Sequence, residues 1–305
     1  MVVDIIICLV IIFAVLNIVF AKSKLYLQDD QQFDKYRKIK KNVQVLVFGS
    51  GPGMFDIDFG ETDCTKENLC IWPEDFRYDL KMLKLLKERV NKGTKIIHII
   101  SPLSFAKNIY VFDEAYNEKY LTVLPTKEVE LPKLDRFMIL YFPIIKHPKR
   151  FVKWIFGKEK VVDKKSIVSE INISEKQRTA DEMLAGWLKT NPGLINFENS
   201  KQLNSFEEAF ERNIRDLSNM KKYCDEQGYQ YIPVIPPMSR YLKSHFSDSF
   251  LDEVLYTNIE RAGIGVECID YLQDDRFDDM DMYLNGLFLD KYGSIKLTKD
   301  LMSRI

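Results

Sequence analysis

The sequence predicts an α/β fold: a three-layer sandwich around a parallel sheet of about five strands, with an N-terminal transmembrane helix and an insertion. Three observations predict it. Val43 to Phe48 is a mostly apolar run rich in valine that ends in Gly49-Ser50-Gly51-Pro52-Gly53, as a strand buried on both faces does before a tight loop. Strand-like and helix-like stretches then alternate along both halves of the chain. Ahead of them, Val2 to Phe20 is apolar except for Asp4 and Asn17.

The elements follow in order. Nineteen residues at 1.5 Å each give roughly 28 Å, about a bilayer's hydrocarbon thickness, so residues 1–22 are expected to be a membrane anchor. A cleaved signal peptide is the weaker reading, because no basic region precedes the apolar run. Residues 23–42 are expected to be a juxtamembrane linker. Lys22, Lys24, Lys35, Arg37, Lys38, Lys40 and Lys41 all follow the helix, which the positive-inside rule would place in the cytoplasm. Lys35 to Lys41 could equally belong to the domain surface, so the side of the membrane stays open. After the strand at Val43, Glu67 to Trp72 is expected as a second strand. Pro73 then opens a helix whose Phe76, Leu80, Leu83, Leu86 and Val90 share one face, closed by Asn91-Lys92-Gly93. Lys95 to Ser101 is the next strand, with His98 expected as a core histidine bonded to a neighbour.

Residues 103–204 break the rhythm and are expected to form the insertion. Within them Tyr141 to Lys165 sets Phe151, Trp154, Ile155 and Phe156 among Lys146, Lys149, Arg150, Lys153 and Lys158. Such a segment can lie on a membrane surface; the plainer reading is a helix packing its aromatics on the core. The rhythm returns at Ser205, expected to form a capping box with Glu208 on a helix ended by Gly228. Tyr229 to Ile235 is a strand, Phe250 to Ala262 a helix, and Gly265 to Ile269 the last strand. Tyr283 to Gly293 is a loop feeding a final helix from Ser294. The domain thus spans 43–305, with Val45, Val47, Ile97, Ile99, Val234 and Val266 inside the sheet.

Composition bounds the chemistry. Of 305 residues 46% are hydrophobic and 29% charged, and the net charge of −1 gives no sign of a nucleic-acid partner. Cys8, Cys64, Cys70, Cys224 and Cys268 have no metal-site spacing and read as free thiols, so neither metal nor cofactor is expected. The three histidines, His98, His147 and His245, are few for a chain that would use a histidine base.

The ordered blocks FGSGPG, WPEDFRYDLKMLK, HIISPLSF, PVIPPMS and YLNGLFLDKYG resemble the SGNH/GDSL esterase–acyltransferase superfamily. The chain looks like the branch of Gram-positive D-alanine transfer and polysaccharide-locus proteins, over roughly Val43 to Ile305 without the insertion. The resemblance implies a site at the loop after the first strand, with a ligand pocket from Gly49, Ser50, Gly51, Pro52, Asn68, Ser101, Asn285 and Phe288. It also exposes departures. Alignment of the first motif puts Gly51 where the nucleophilic serine would stand, with Ser50 one place early. Counting back from Gly293 puts Phe288 at the catalytic histidine and Asn285 at its aspartate. Ser50 remains the one candidate catalytic residue, and its base would have to be Asp56, Asp290 or a histidine from elsewhere.

Three functions stay open. One is a membrane-anchored binding or accessory subunit of cell-envelope polysaccharide assembly or acyl modification, a pseudoenzyme holding a polysaccharide or acylated envelope polymer. Another is an active esterase or acyltransferase with a rearranged site around Ser50. The last is a structural module that docks on a membrane acyltransferase through the insertion.

Overall fold

The computed structural model describes residues 2–23, 30–60, 65–72, 75–106, 115–157, 172–191 and 193–305. The first half of the chain runs α1 (Val2–Ala21), α2 (Asp30–Lys38), β1 (Val43–Gly49), α3 (Gly51–Asp56), β2 (Lys66–Asn68), α4 (Phe76–Leu85) and β3 (Val90–Ile99). Five helices follow: α5 (Ala115–Glu118), α6 (Lys133–Tyr141), α7 (Pro143–Lys146), α8 (Pro148–Ile155) and α9 (Ile173–Thr190). The rest is α10 (Glu207–Gln227), β4 (Gln230–Ile235), α11 (Arg240–Lys243), α12 (Asp248–Leu251), α13 (Thr257–Arg261), β5 (Ile269–Asp270) and α14 (Lys291–Arg304).

The chain divides into two compact units, 1–37 with 113–166, and 38–112 with 167–305. The expected insertion is therefore split: 113–166 clusters with the N-terminal helix, and α9 with the sheet.

The second unit holds a five-stranded, all-parallel sheet in the order β2-β1-β3-β4-β5. Val47 pairs with Ile97, and Ile97 with Ile232, so the valines and isoleucines of neighbouring strands stack in rows. Val45, Val47, Ile97, Ile99, Ile232 and Val234 share one cluster with Tyr271, Phe277 and the α14 residues Leu297 and Leu301. The alternate residues Leu46, Phe48, Ile96 and His98 are fully buried too. His98 is the expected core histidine: Nε2 lies 3.0 Å from Asp79 Oδ2 on α4, and Nδ1 lies 2.8 Å from the Tyr231 hydroxyl. Burial, ahead of the nearby charges, holds the Tyr231 phenol well above its ordinary pKa, so it enters this network neutral.

Several boundaries differ from the sequence reading. Val266 is not a core residue but 101% exposed, because Gly265–Glu267 is a 3₁₀ turn and the edge strand β5 begins only at Ile269. Val90 starts β3 instead of ending α4. Helix α4 stops at Leu85, a 3₁₀ turn intervenes, and Val90 pairs with Val43. Asp75 caps α4 by accepting from the Arg77 N–H at 2.9 Å, while Pro73 lies outside the described residues. The capping box at Ser205 is absent. A 3₁₀ turn over Ser200–Phe206 runs straight into α10, and the Ser205 hydroxyl donates to the Gln202 carbonyl. Gly228 does end α10, at φ 72°. The final helix starts three residues early, because Asp290 caps it through the Gly293 N–H at 2.8 Å.

The helix after Ser247 contains a π-turn over Asp252–Tyr256. Buried Asn258 lies beside it, and its amide donates to the Glu253 and Val254 carbonyls at 3.1 and 3.2 Å.

In the first unit, α1 is the one helix among the described residues long and apolar enough to cross a membrane. Only Asn17 and Phe20 on it are buried.

Candidate functional site

The chain reverses its direction of sheet growth between β1 and β3, and their carboxyl ends open where ligands bind in sheets of this kind. The glycine-rich loop lies there. Gly49 ends β1 at φ 124°, and a Cβ on it would stand 2.7 Å from the Ile99 carbonyl of β3, so the strand can leave the sheet here only as glycine. Ser50 follows, almost buried, as the residue ahead of the short helix α3, with Pro52 in its first turn. Gly53 lets that turn press on Cys70 and Ile99.

Gly51 occupies the centre. A Cβ built on it would lie 2.9 Å from Trp72 Cδ1 and 3.0 Å from two carbons of the Phe288 ring. The two positions that the resemblance assigns to nucleophile and base are thus brought face to face, as glycine and phenylalanine. Phe288 also stacks on Phe55 of α3, with centroids 4.6 Å apart and planes at 24°. Asn285 belongs to the same turn: its Oδ1 accepts from the Phe288 N–H at 2.9 Å. The result is an aromatic floor of Trp72, Phe288 and Phe55 under a backbone loop. Trp72 is 45% exposed.

The other expected pocket residues are placed differently. The Asn68 amide donates to the Gly53 and Ile57 carbonyls at 2.7 and 2.8 Å, and its Oδ1 accepts from the Cys70 N–H. It braces the loop from beneath. Ser101 follows β3 and shares a 2.8 Å hydrogen bond with Ser104.

The bases proposed for Ser50 have other work. Asp290 caps α14. His98 is held between Asp79 and Tyr231. His147 Nε2 lies 2.9 Å from Glu118 in the first unit, and His245 Nε2 lies 3.9 Å from Asp181. Asp56, at the end of α3, is wholly buried. One oxygen accepts from the Leu289 N–H at 2.8 Å, and among the described residues the other has no hydrogen-bond partner. Burial pushes its carboxyl well above the usual range, opposed by the Leu289 bond. It ties the 285–289 turn to α3.

Sequence reasoning missed Trp72 and Phe55. Trp72 sits in a block read as a strand and Phe55 in the stretch after the glycine-rich loop, and only the approach of the 285–289 turn makes them part of the site. No protein-family model and no curated protein matches this chain.

Proposed function

We propose that this is a membrane-anchored, SGNH/GDSL-like protein of cell-envelope polysaccharide assembly or acyl modification, which lacks the Ser-His-Asp triad and acts as a binding or accessory subunit. The observation that carries the reading is the contact between Gly51 and Phe288 at the carboxyl end of β1. Two positions chosen by motif register alone, at opposite ends of the domain, meet in space, which supports the register and the kinship with it. The strand order β2-β1-β3-β4-β5, with α14 packed on one face and α4 and α10 on the other, supports the three-layer sandwich.

Without a base next to a nucleophile, a serine does not attack esters at neutral pH. What remains is a surface. Trp72 and Phe288 suit stacking against the apolar face of a sugar ring or a short acyl group. The α1 helix supplies the anchor.

The test is ester hydrolysis by the full chain, with p-nitrophenyl acetate as substrate. The native protein is expected to show no Ser50-dependent turnover, because loss of a triad removes on the order of a million-fold of rate. Gly51→Ser with Phe288→His and Asn285→Asp is expected to gain activity that neither Gly51→Ser nor Phe288→His has alone. Turnover by the native protein that vanishes in Ser50→Ala would overturn the pseudoenzyme reading in favour of an esterase built around Ser50.

A further inference from the structure

The first unit carries an apolar surface that its own fold does not cover. In α8 and its C-cap Phe156, at 100° per residue, Trp154, Phe151, Ile155, Val152 and Phe156 fall on one arc of about 200°, and Lys149, Lys153 and Arg150 fill the rest. The apolar arc is divided. Phe151 and Trp154 pack on Phe20 of α1, with ring centroids 5.3 and 5.7 Å away. Val152, Ile155 and Phe156 are 51%, 54% and 68% exposed. Phe137, Tyr141 and Ile145 of α6 and α7 are exposed as well.

The position of these helices along α1 is fixed by a hydrogen bond. Asn17, the one polar residue in the second half of the apolar helix, donates to the Phe13 carbonyl and accepts from the Ile144 N–H of α7 at 3.2 Å. Asn17 precedes the end of α1 by four residues, about 6 Å at 1.5 Å per residue. That depth matches the roughly 5–10 Å to which interfacial helices embed in the headgroup and acyl boundary. The charge pattern matches the same place. Pro143 to Gly157 holds Lys146, Lys149, Arg150 and Lys153 and no acidic residue.

We infer that α6 to α8 form a second membrane contact: a shallow wedge at the foot of α1 that sinks its exposed aromatic and aliphatic side chains into one leaflet and sets Lys149, Arg150 and Lys153 against anionic lipid headgroups. The inference rests on α1 being a membrane-spanning helix. The occupant is the bilayer because the uncovered face continues the apolar surface of α1, lies at its interfacial depth, and is bordered by basic side chains. Two attachments fix orientation where a single helix would leave the protein free to tilt and spin. The wedge would thereby hold the first unit at a defined height above the lipid.

The test uses the full chain in vesicles of phosphatidylcholine, alone or mixed with phosphatidylglycerol, containing a lipid with a photoactivatable diazirine high on its acyl chain. Adducts are mapped by peptide mass spectrometry. The native protein is expected to be labelled in two clusters, on α1 and between Phe137 and Phe156, the second stronger when phosphatidylglycerol is present. Lys149→Glu with Arg150→Glu and Lys153→Glu should keep the α1 adducts and lose several-fold of those on α8. Adducts confined to α1 would overturn the wedge and leave the anchor standing. Chain-to-chain cross-links through Ile155 or Phe156 in place of lipid adducts would overturn it in favour of a protein partner. Absence of adducts on α1 itself would remove the anchor, and the wedge with it.

Discussion

Gly51 holds the smallest side chain in the site and the largest share of its character. Any Cβ there meets Trp72 and Phe288 at 2.9–3.0 Å, closer than side-chain carbons settle. Gly51→Ser is therefore expected to destabilise by about 1–3 kcal/mol through overpacking. Phe288→His trims the opposing ring, so the double variant should recover part of that loss. Chemical denaturation of the two single variants and the pair measures the coupling, and Gly51→Ser as stable as the native chain would show the contact to be soft. Asp56 gives a second test at this scale. Its folded carboxyl binds its proton more tightly than the unfolded one, so the unfolded state releases a proton first as pH rises. Stability is then lost as pH climbs from about 3.8 towards the raised folded value. Asp56→Asn keeps an acceptor for the Leu289 N–H and removes the titration. It should be more stable than the native chain at neutral pH and converge with it in acid, as denaturant titrations across pH would show. A constant difference at every pH would mean that Asp56 does not titrate on folding.

Elements differ in how much their sequences say. β1, β3 and β4 are legible because a parallel sheet covered on both faces needs continuous apolar runs, and Val47 lies at its centre with no exposure. Val47→Asp buries an unpaired charge and should cost several kcal/mol, enough to abolish a cooperative unfolding transition. Val266→Asp, by contrast, changes a fully exposed side chain on a 3₁₀ turn and should stay within about 0.5 kcal/mol of the native value. The same valine-rich pattern predicted both as core. An edge strand of two residues leaves too little periodicity to separate them. The π-turn was silent in sequence for a similar reason: Asn258 looks like any polar residue on a helix until its amide is seen closing the Glu253 and Val254 carbonyls. Asn258→Ala should cost about 1–3 kcal/mol by orphaning buried acceptors, measurable by thermal unfolding. A change smaller than the error of that measurement would assign the turn to packing instead.

At the scale of the whole molecule, the two ends of α1 have different surroundings. Its exposed Val2 to Val15 stretch suits lipid, whereas Phe20 supplies packing for Phe151 and Trp154. A chain beginning at Gln28 is therefore expected to keep the sheet-bearing unit folded but to expose that aromatic pair. It should need detergent to stay monodisperse, and a monodisperse chain without detergent would contradict this. Size-exclusion chromatography with and without detergent separates the two outcomes. The sequence by itself determined what local periodicity can determine: an apolar N-terminal helix, three central strands, the glycine that ends α10, and a histidine supply too small and too scattered for an obvious triad. It also placed a glycine-rich loop at the end of β1, since such composition has few other uses after a buried strand. Only the tertiary structure decided which side chains meet there. Trp72, Phe55 and Phe288 become one aromatic floor because three separate segments converge at the end of β1. The Asn68 amide becomes a brace because two loop carbonyls come within its reach. Residues 113–166 join α1 rather than the sheet because Asn17 and Phe20 offer the partners that Ile144, Phe151 and Trp154 need. Periodicity is fixed by neighbours three or four residues away, whereas these contacts depend on how distant segments cross, which no local pattern encodes.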